Sequence, residues 1–264
     1  MTVALIDNGS LEPAAHQHLR EVASRLSNRL RVPVHAVSWK HSDRIPAAEL
    51  GGRPAWTVDA FLRSRIAAGE RDFLLVPFFL SAQGAIGSAL RRELEHLQAE
   101  AGGFTFAFTE GIAARGVVPA IAASRIRDVL TQRRLSAAPI VVVDHGGPSP
   151  ASAALRDRLA GEIAATLSLP DTRVVAASME GRHPPLLRDT LRQPGLAGQD
   201  VVVLPLFLSP GRHAGPGGDI ATLCQESPAR CHLAGLLGTH ELAVEALAGA
   251  LLHHLSQSHT PSLA

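Results

Sequence analysis

The sequence predicts an α/β protein of two tandem, similar lobes, each a parallel four-stranded sheet flanked by helices, the pair related by a pseudo-twofold axis. Three observations predict it. Short runs rich in Val, Ile, Leu and Phe alternate with amphipathic stretches, as buried parallel strands alternate with helices. The two halves repeat one another over a domain-sized period. The chain has 264 residues, 46% of them hydrophobic, enough to bury a core in each half.

In chain order, strands are expected at 3–6, 34–38, 73–80 and 104–108, then at 140–143, 174–178, 201–208 and 233–237. Between them lie helical patterns; Leu155, Leu159, Ile163 and Leu167 step by four and share one face. The repeat is read residue by residue. Asp7-Asn8-Gly9 matches Asp144-His145-Gly146 at an offset of 137, and at that offset Val22, Leu26 and Leu30 fall on Leu159, Ile163 and Leu167. Pro77-Phe-Phe-Leu-Ser81 matches Pro205-Leu-Phe-Leu-Ser209 at an offset of 128, so the first half carries extra residues before its third strand, around Gly51-Gly-Arg-Pro54. Residues 131–139 read as the connection, dividing the chain into lobes 1–135 and 136–264.

Composition excludes several partners. There are 25 basic and 24 acidic residues with no basic run, aromatics are 4%, and Tyr is absent, so nucleic acid is not expected. No apolar stretch reaches the roughly 18 residues of a membrane span. The start of the chain lacks a signal-peptide pattern, and a soluble, cytoplasmic protein is expected. Cys224 and Cys231 read as reduced, structural thiols.

Ligands of open parallel sheets bind at the carboxyl ends of strands. In the second half those ends lead into Asp144-His145-Gly146-Gly147, Met179-Glu180-Gly181 and Ser209-Pro210-Gly211-Arg212-His213. His145, Glu180 and His213 can therefore converge. Two imidazoles and a carboxylate suit Fe²⁺, Co²⁺ or Ni²⁺, and three ligands leave coordination positions open. Glycines beside the two histidines permit tight turns and close approach by a large flat ligand. The first half is an internal control: Asn8 stands at the place of His145, Lys40 at Glu180 and Ala85 at His213. All three candidate ligands are missing there while the scaffold pattern persists, so the first half reads as a degenerate copy.

At this point the second half resembles the class II tetrapyrrole chelatases of the CbiX/SirB type. The resemblance rests on Val143-Asp-His145-Gly146, on Ala177-Ser-Met-Glu180 with Pro184, and on Pro205-Leu-Phe-Leu-Ser-Pro-Gly-Arg-His213 followed by Asp219-Ile220. The sequence departs from that family's pattern at Gly147, at Met179 and in the glycine-rich stretch 214–218. The resemblance implies insertion of Co²⁺ or Fe²⁺ into sirohydrochlorin, in siroheme or cobalamin biosynthesis. The metal is then substrate, with no permanently bound cofactor and a tetrapyrrole as partner. It implies that His145, Glu180 and His213 handle the metal; imidazole chemistry near neutral pH adds the expectation that the two histidines take the pyrrole protons. Gly146, Gly147, Ser209 and Gly211 would face the macrocycle, and Arg212 would pair with one of its carboxylates. Ser81 and Gln83, at the matching edge of the first lobe, would line the opposite wall. His183, three residues past Glu180, reads either as a spare ligand or as an exposed loop histidine. Two fused lobes can make a complete unit, compatible with a monomer. A non-catalytic carrier of metal or tetrapyrrole is the alternative. A hydrolase using His145 as base is the third reading, and no Gly-x-Ser-x-Gly turn supports it.

Overall fold

The computed structural model of the protein describes residues 1–80, 85–147, 149–168 and 173–257. Strands β1 (Thr2–Asp7), β2 (Val34–Ser38), β3 (Trp56–Thr57), β4 (Asp72–Pro77) and β5 (Thr105–Phe108) form a parallel sheet ordered β3-β2-β1-β4-β5. Its central strands are apolar without alternation because both faces are covered. One face packs Ala4, Ile6, Phe73 and Leu75 against Phe61 and Leu62 of helix α2 (Val58–Ala67) and Leu90, Leu94 and Leu97 of α3 (Ala85–Ala101). The other face meets α1 (Pro13–Leu30), whose Leu19, Val22 and Leu26 are fully buried.

The second sheet joins β6 (Ile140–Asp144), β7 (Val174–Ser178), β8 (Asp200–Pro205) and β9 (Arg230–Leu233), all parallel, in the order β7-β6-β8-β9. Val141, Val143, Val201 and Val203 pack with Leu187 and Leu191 of α6 (Leu187–Leu191) and Ile220 of α7 (Asp219–Gln225). Helix α5 (Pro150–Leu167) buries Leu159 and Ile163.

The repeat is reproduced in the backbone. Helices α1 and α5 begin at prolines 137 residues apart, are 18 residues long, and end on left-handed residues, Arg31 and Ser168. Phe78 N–H donates to Ile6 O at 2.7 Å, as Leu206 N–H does to Val143 O at 2.7 Å. The extra residues of the first half form two short 3₁₀ turns, Ser42–Arg44 and Ala47–Leu50, and the edge strand β3, which makes the first sheet five-stranded rather than four.

Three sequence expectations are corrected. The last strand is Arg230–Leu233, not 233–237: Leu237 is buried, but after Leu233 the chain has left the sheet. The third strands end at Pro77 and Pro205, although the apolar runs continue to 80 and 208. Helix α4 (Val118–Arg133) takes in residues 131–133, so the expected connection shortens to 134–139.

Contacts group the chain as Met1–Arg115 with the stretch from Glu241, and Gly116–His240, whereas the sequence division lies at 135/136. Helix α4 lies on α5 and β8. Helix α8 (Glu241–Gln257) lies on α1. Its Ala243, Val244, Leu247, Ala248 and Leu251 are buried at helical spacing, and Arg29 pairs with Glu241 at 2.9 Å and Glu245 at 3.3 Å. No helix among the described residues is long and apolar enough to cross a membrane.

Candidate metal centre

Strands β6, β7 and β8 end on one edge of the second sheet. His145 follows β6 directly, Glu180 is two residues past β7, and His213 is eight residues past β8 in the turn before α7. From the adjacent strands β6 and β8 the chain departs to opposite sides, toward β7 and β9. Such a switch point opens a crevice at the strand ends.

The three side chains meet there. Nε2 of His145 is 3.6 Å from Oε1 of Glu180. The two imidazoles lie edge to face, centroids 4.7 Å apart at 84°. One ligand atom from each of His145, Glu180 and His213 lies within 4.8 Å of the other two. An ion bound at about 2.1 Å holds its ligands roughly 3 to 4 Å apart, so the set closes on an ion with a shift of under about 1 Å. His145 and Glu180 can make that shift, with side chains 55% and 61% exposed, while His213, at 19%, is held.

Both imidazole tautomers follow from their neighbours. Nδ1 of His213 is 2.7 Å from Oδ2 of Asp219, and Nδ1 of His145 is 2.9 Å from the Gly146 carbonyl. A carboxylate and a carbonyl only accept, so each Nδ1 carries the proton and each Nε2 presents a lone pair. Asp219 stands in the family motif, yet nothing in the sequence indicates that it grips His213. The glycine-rich stretch that departs from the family pattern supplies the grip. Gly215 N–H donates to Gly211 O at 2.7 Å, and a Cβ at Gly218 would sit 2.5 Å from Arg212 O. This compression returns the first turn of α7 to the histidine: Asp219 N–H reaches Arg212 O at 3.2 Å and Ile220 N–H reaches His213 O at 3.0 Å.

Gly146 brings the other two loops together. It has φ +81°, and a Cβ there would lie 1.8 Å from the Glu180 carbonyl oxygen. Glu180 N–H donates to His145 O at 3.2 Å. Beneath, the Asp144 carboxylate accepts from Gly146 N–H and from Ser178 Oγ, and burial pushes its pKa above the ordinary carboxylate range.

The first sheet repeats this scaffold without the ligands. Gly9, at φ +84°, would place a Cβ 1.7 Å from Lys40 O, and Lys40 N–H donates to Asn8 O at 3.3 Å. These contacts align Asn8 with His145 and Lys40 with Glu180. The Lys40 ammonium instead pairs with Glu93 at 2.7 Å, as does the Trp39 indole N–H at 2.7 Å. Among the described residues no second cluster of three metal-ligating side chains occurs.

Of the other residues singled out, Gly147, Ser209 and Gly211 are half-buried in the same loops. Arg212 is 81% exposed, its Nε 3.6 Å from the Asp219 carboxylate that also holds His213. His183 is not in the three-residue cluster; its carbonyl accepts from Arg156. Ser81 and Gln83 lie outside the described residues.

Residues 139–253 match the model of the CbiX family. No curated protein sequence matches the chain. The fold is shared with solved structures. SirB from Bacillus subtilis with Fe³⁺ aligns at TM-score 0.69 and 14% identity over 98% of this chain and 97% of that one. The sirohydrochlorin chelatase SirB from Bacillus subtilis subspecies spizizenii in complex with cobalt aligns at 0.68 and 14%, over 97% of both. CbiX, described as the terminal enzyme of siroheme biosynthesis in denitrifying bacteria, aligns at 0.66 and 17%, over 96% and 99%. The resemblance to class II tetrapyrrole chelatases drawn from the sequence, and the two-lobed fold it implied, are borne out.

Proposed function

We propose, from a stretch that matches the CbiX family model and brings three ligand atoms within 4.8 Å of one another, that this protein inserts a divalent metal, Co²⁺ or Fe²⁺, into sirohydrochlorin. The observation that carries this reading is the convergence of His145, Glu180 and His213, set against their joint absence from the matching positions of the first sheet. The solved structures sharing the fold include SirB with Fe³⁺ and the sirohydrochlorin chelatase SirB with cobalt, which supports the same reaction. All three ligands come from one chain, so the metal site needs no second copy and a monomer suffices.

The geometry suggests an exchange of ion for proton. Nε2 of His145, Nε2 of His213 and a Glu180 oxygen hold the ion, and the carboxylate offsets part of its charge. Three protein ligands leave coordination positions for pyrrole nitrogens. As the ion passes to the ring, each imidazole lone pair is released and can take one of the two departing pyrrole protons, a role suited to histidine near neutral pH. Asp219 steadies the imidazolium that forms on His213. His145, more than half exposed, passes its proton to solvent.

The test is insertion of Co²⁺ and Fe²⁺ into sirohydrochlorin, followed by absorbance, for the wild type and for His145→Ala and His213→Ala. The reading expects turnover in the wild type and a loss of at least about 100-fold in each variant, in the range typical of removing a catalytic acid–base group. Undiminished rates in both variants would reject the site. Metal binding by the wild type with no insertion into the tetrapyrrole would favour the carrier reading instead.

A further inference from the structure

Among the described residues Arg156 is the one buried arginine, its side chain 2% exposed on the inner face of α5. The repeat places Leu19, fully buried, at the corresponding position of α1, 137 residues earlier. An apolar residue therefore fills this place in the half without ligands, and a guanidinium fills it in the half that has them.

The guanidinium spans the end of β7 and the loop that follows it. Nη1 donates to Ser178 Oγ at 2.6 Å and to the His183 carbonyl at 3.2 Å, and Nη2 donates to the Pro184 carbonyl at 3.3 Å. Ser178 N–H bonds the Pro185 carbonyl and Ser178 bridges Leu186, so residues 179–185 form a closed loop, and Glu180 stands at its start. Arg156 binds two carbonyls of that loop from within. Through Ser178 it also reaches the other ligand loop: Ser178 Oγ donates to Asp144 Oδ1 at 2.5 Å, and Asp144 accepts from Gly146 N–H beside His145. Asp157 completes the guanidinium's partners, Oδ1 at 2.8 Å from Nε and 2.7 Å from Nη2.

In the first half the matching Ser38 has uncharged partners, Ser42 Oγ at 2.9 Å and His16 Nδ1 at 3.3 Å, in addition to Asp7. A buried guanidinium with five fixed donors is costly to desolvate. Here it satisfies Ser178 at the end of β7 and two carbonyls of the loop that carries Glu180.

We propose that Arg156 is a positioning residue for the metal site: it touches neither metal nor substrate, but sets the spacing between Glu180 and His145. This rests on the site assignment above. Partners one step removed from metal ligands change affinity by about 10- to 100-fold when removed. Arg156→Leu, which copies Leu19, acts further from the ligands, through Ser178 and the loop carbonyls, and should weaken Co²⁺ binding by about 10-fold, the lower end of that range. Arg156→Lys keeps the charge and part of the hydrogen bonding, and should recover part of the loss.

The experiment is calorimetric titration of the full chain with Co²⁺ alone, at a temperature where every variant is folded by circular dichroism. Ile163→Ala, on the same buried helix face but away from both loops, controls for general destabilisation and should keep wild-type affinity. Should Arg156→Leu not fold, Arg156→Lys against Ile163→Ala carries the comparison. Wild-type affinity in Arg156→Leu, or in Arg156→Lys when that is the variant tested, would overturn the positioning role and leave the site standing. Equal loss in Ile163→Ala would overturn it as well, as a stability effect. A wild type that binds no Co²⁺ through His145 and His213 would instead overturn the site, and the positioning role with it.

Discussion

Oδ2 of Asp219 sits 2.7 Å from Nδ1 of His213, so a carboxylate in the first turn of α7 decides which imidazole nitrogen faces the crevice. Asp219→Ala frees that ring to rotate and removes the acceptor that fixes its tautomer. Co²⁺ affinity should fall by about 10- to 100-fold, with unfolding temperature little changed because Asp219 is partly exposed. Titration of folded protein with Co²⁺ checks this; unaltered affinity would show that the ring is held by packing against Phe207 instead.

The two left-handed glycines offer a matched pair of substitutions. A Cβ at Gly9 would lie 1.7 Å from Lys40 O, and one at Gly146 would lie 1.8 Å from Glu180 O. Gly9→Ala and Gly146→Ala should each cost more than about 2 kcal/mol, from left-handed strain and loop displacement together. Only Gly146→Ala should abolish metal binding, since only that loop carries a ligand. Urea unfolding with parallel Co²⁺ titration separates the two effects. Equal binding loss in both variants would contradict the division of labour between the sheets.

In the first sheet Asp7 and His16 share Ser38, and their proton affinities move in opposite directions. Burial raises the Asp7 carboxyl from 3.8 to about 6, and burial, with help from Arg20, lowers the His16 imidazole from 6.5 to about 4. The raised carboxyl favours the folded state below 3.8 and loses that advantage as pH rises through 6. The lowered imidazole favours the folded state above 6.5 and loses that advantage as pH falls through 4. Between 4 and 6 the slopes oppose: folded protein holds its proton on Asp7, unfolded protein on His16. His16→Asn removes the second slope. Relative to wild type, the stability of that variant should fall by about 3 kcal/mol as pH rises from 4 to 6.5. Denaturant midpoints across that range test it, and parallel curves would refute the lowered proton affinity of His16.

Cys224 and Cys231 hydrogen-bond each other across α7 and β9. That bond, with help from Ser227, lowers the half-buried Cys231 thiol to about 7, while the same bond and burial raise Cys224. At pH 7.5 iodoacetamide should alkylate one thiol quickly, identified as Cys231 by peptide mass, because the thiolate is the nucleophile. Cys224→Ala should slow that reaction. Faster modification of Cys224 would reverse the assignment.

The convergence of His145, Glu180 and His213 was legible because strand-end placement is a rule of parallel sheets and because the first half, which keeps the pattern without them, showed what scaffold alone requires. Asp219 was hidden by loop geometry: nothing in the spacing of 214–218 announces that the chain folds back upon His213. Arg156 was hidden by periodicity. The stripe Leu155, Leu159, Ile163 and Leu167 points to one helix face, yet the buried set is Arg156, Leu159, Ala160, Ile163 and Ala164, rotated by about one residue. Strand β9 escaped because Arg230 and His232 pair with Asp200, so an edge strand with polar ends lacks the apolar run expected of it. Strand β3 is two residues long, below what any pattern resolves.

Helix α4 packs with helix α5 and strand β8, which follow it, and helix α8 packs with helix α1, far before it. Cutting the polypeptide between residues 135 and 136 would therefore leave the ligand-bearing fragment without one wall of its own core and with an orphaned apolar helix from another. A gene split there would run through a contact group rather than between two, so each fragment would lack a helix that the other keeps.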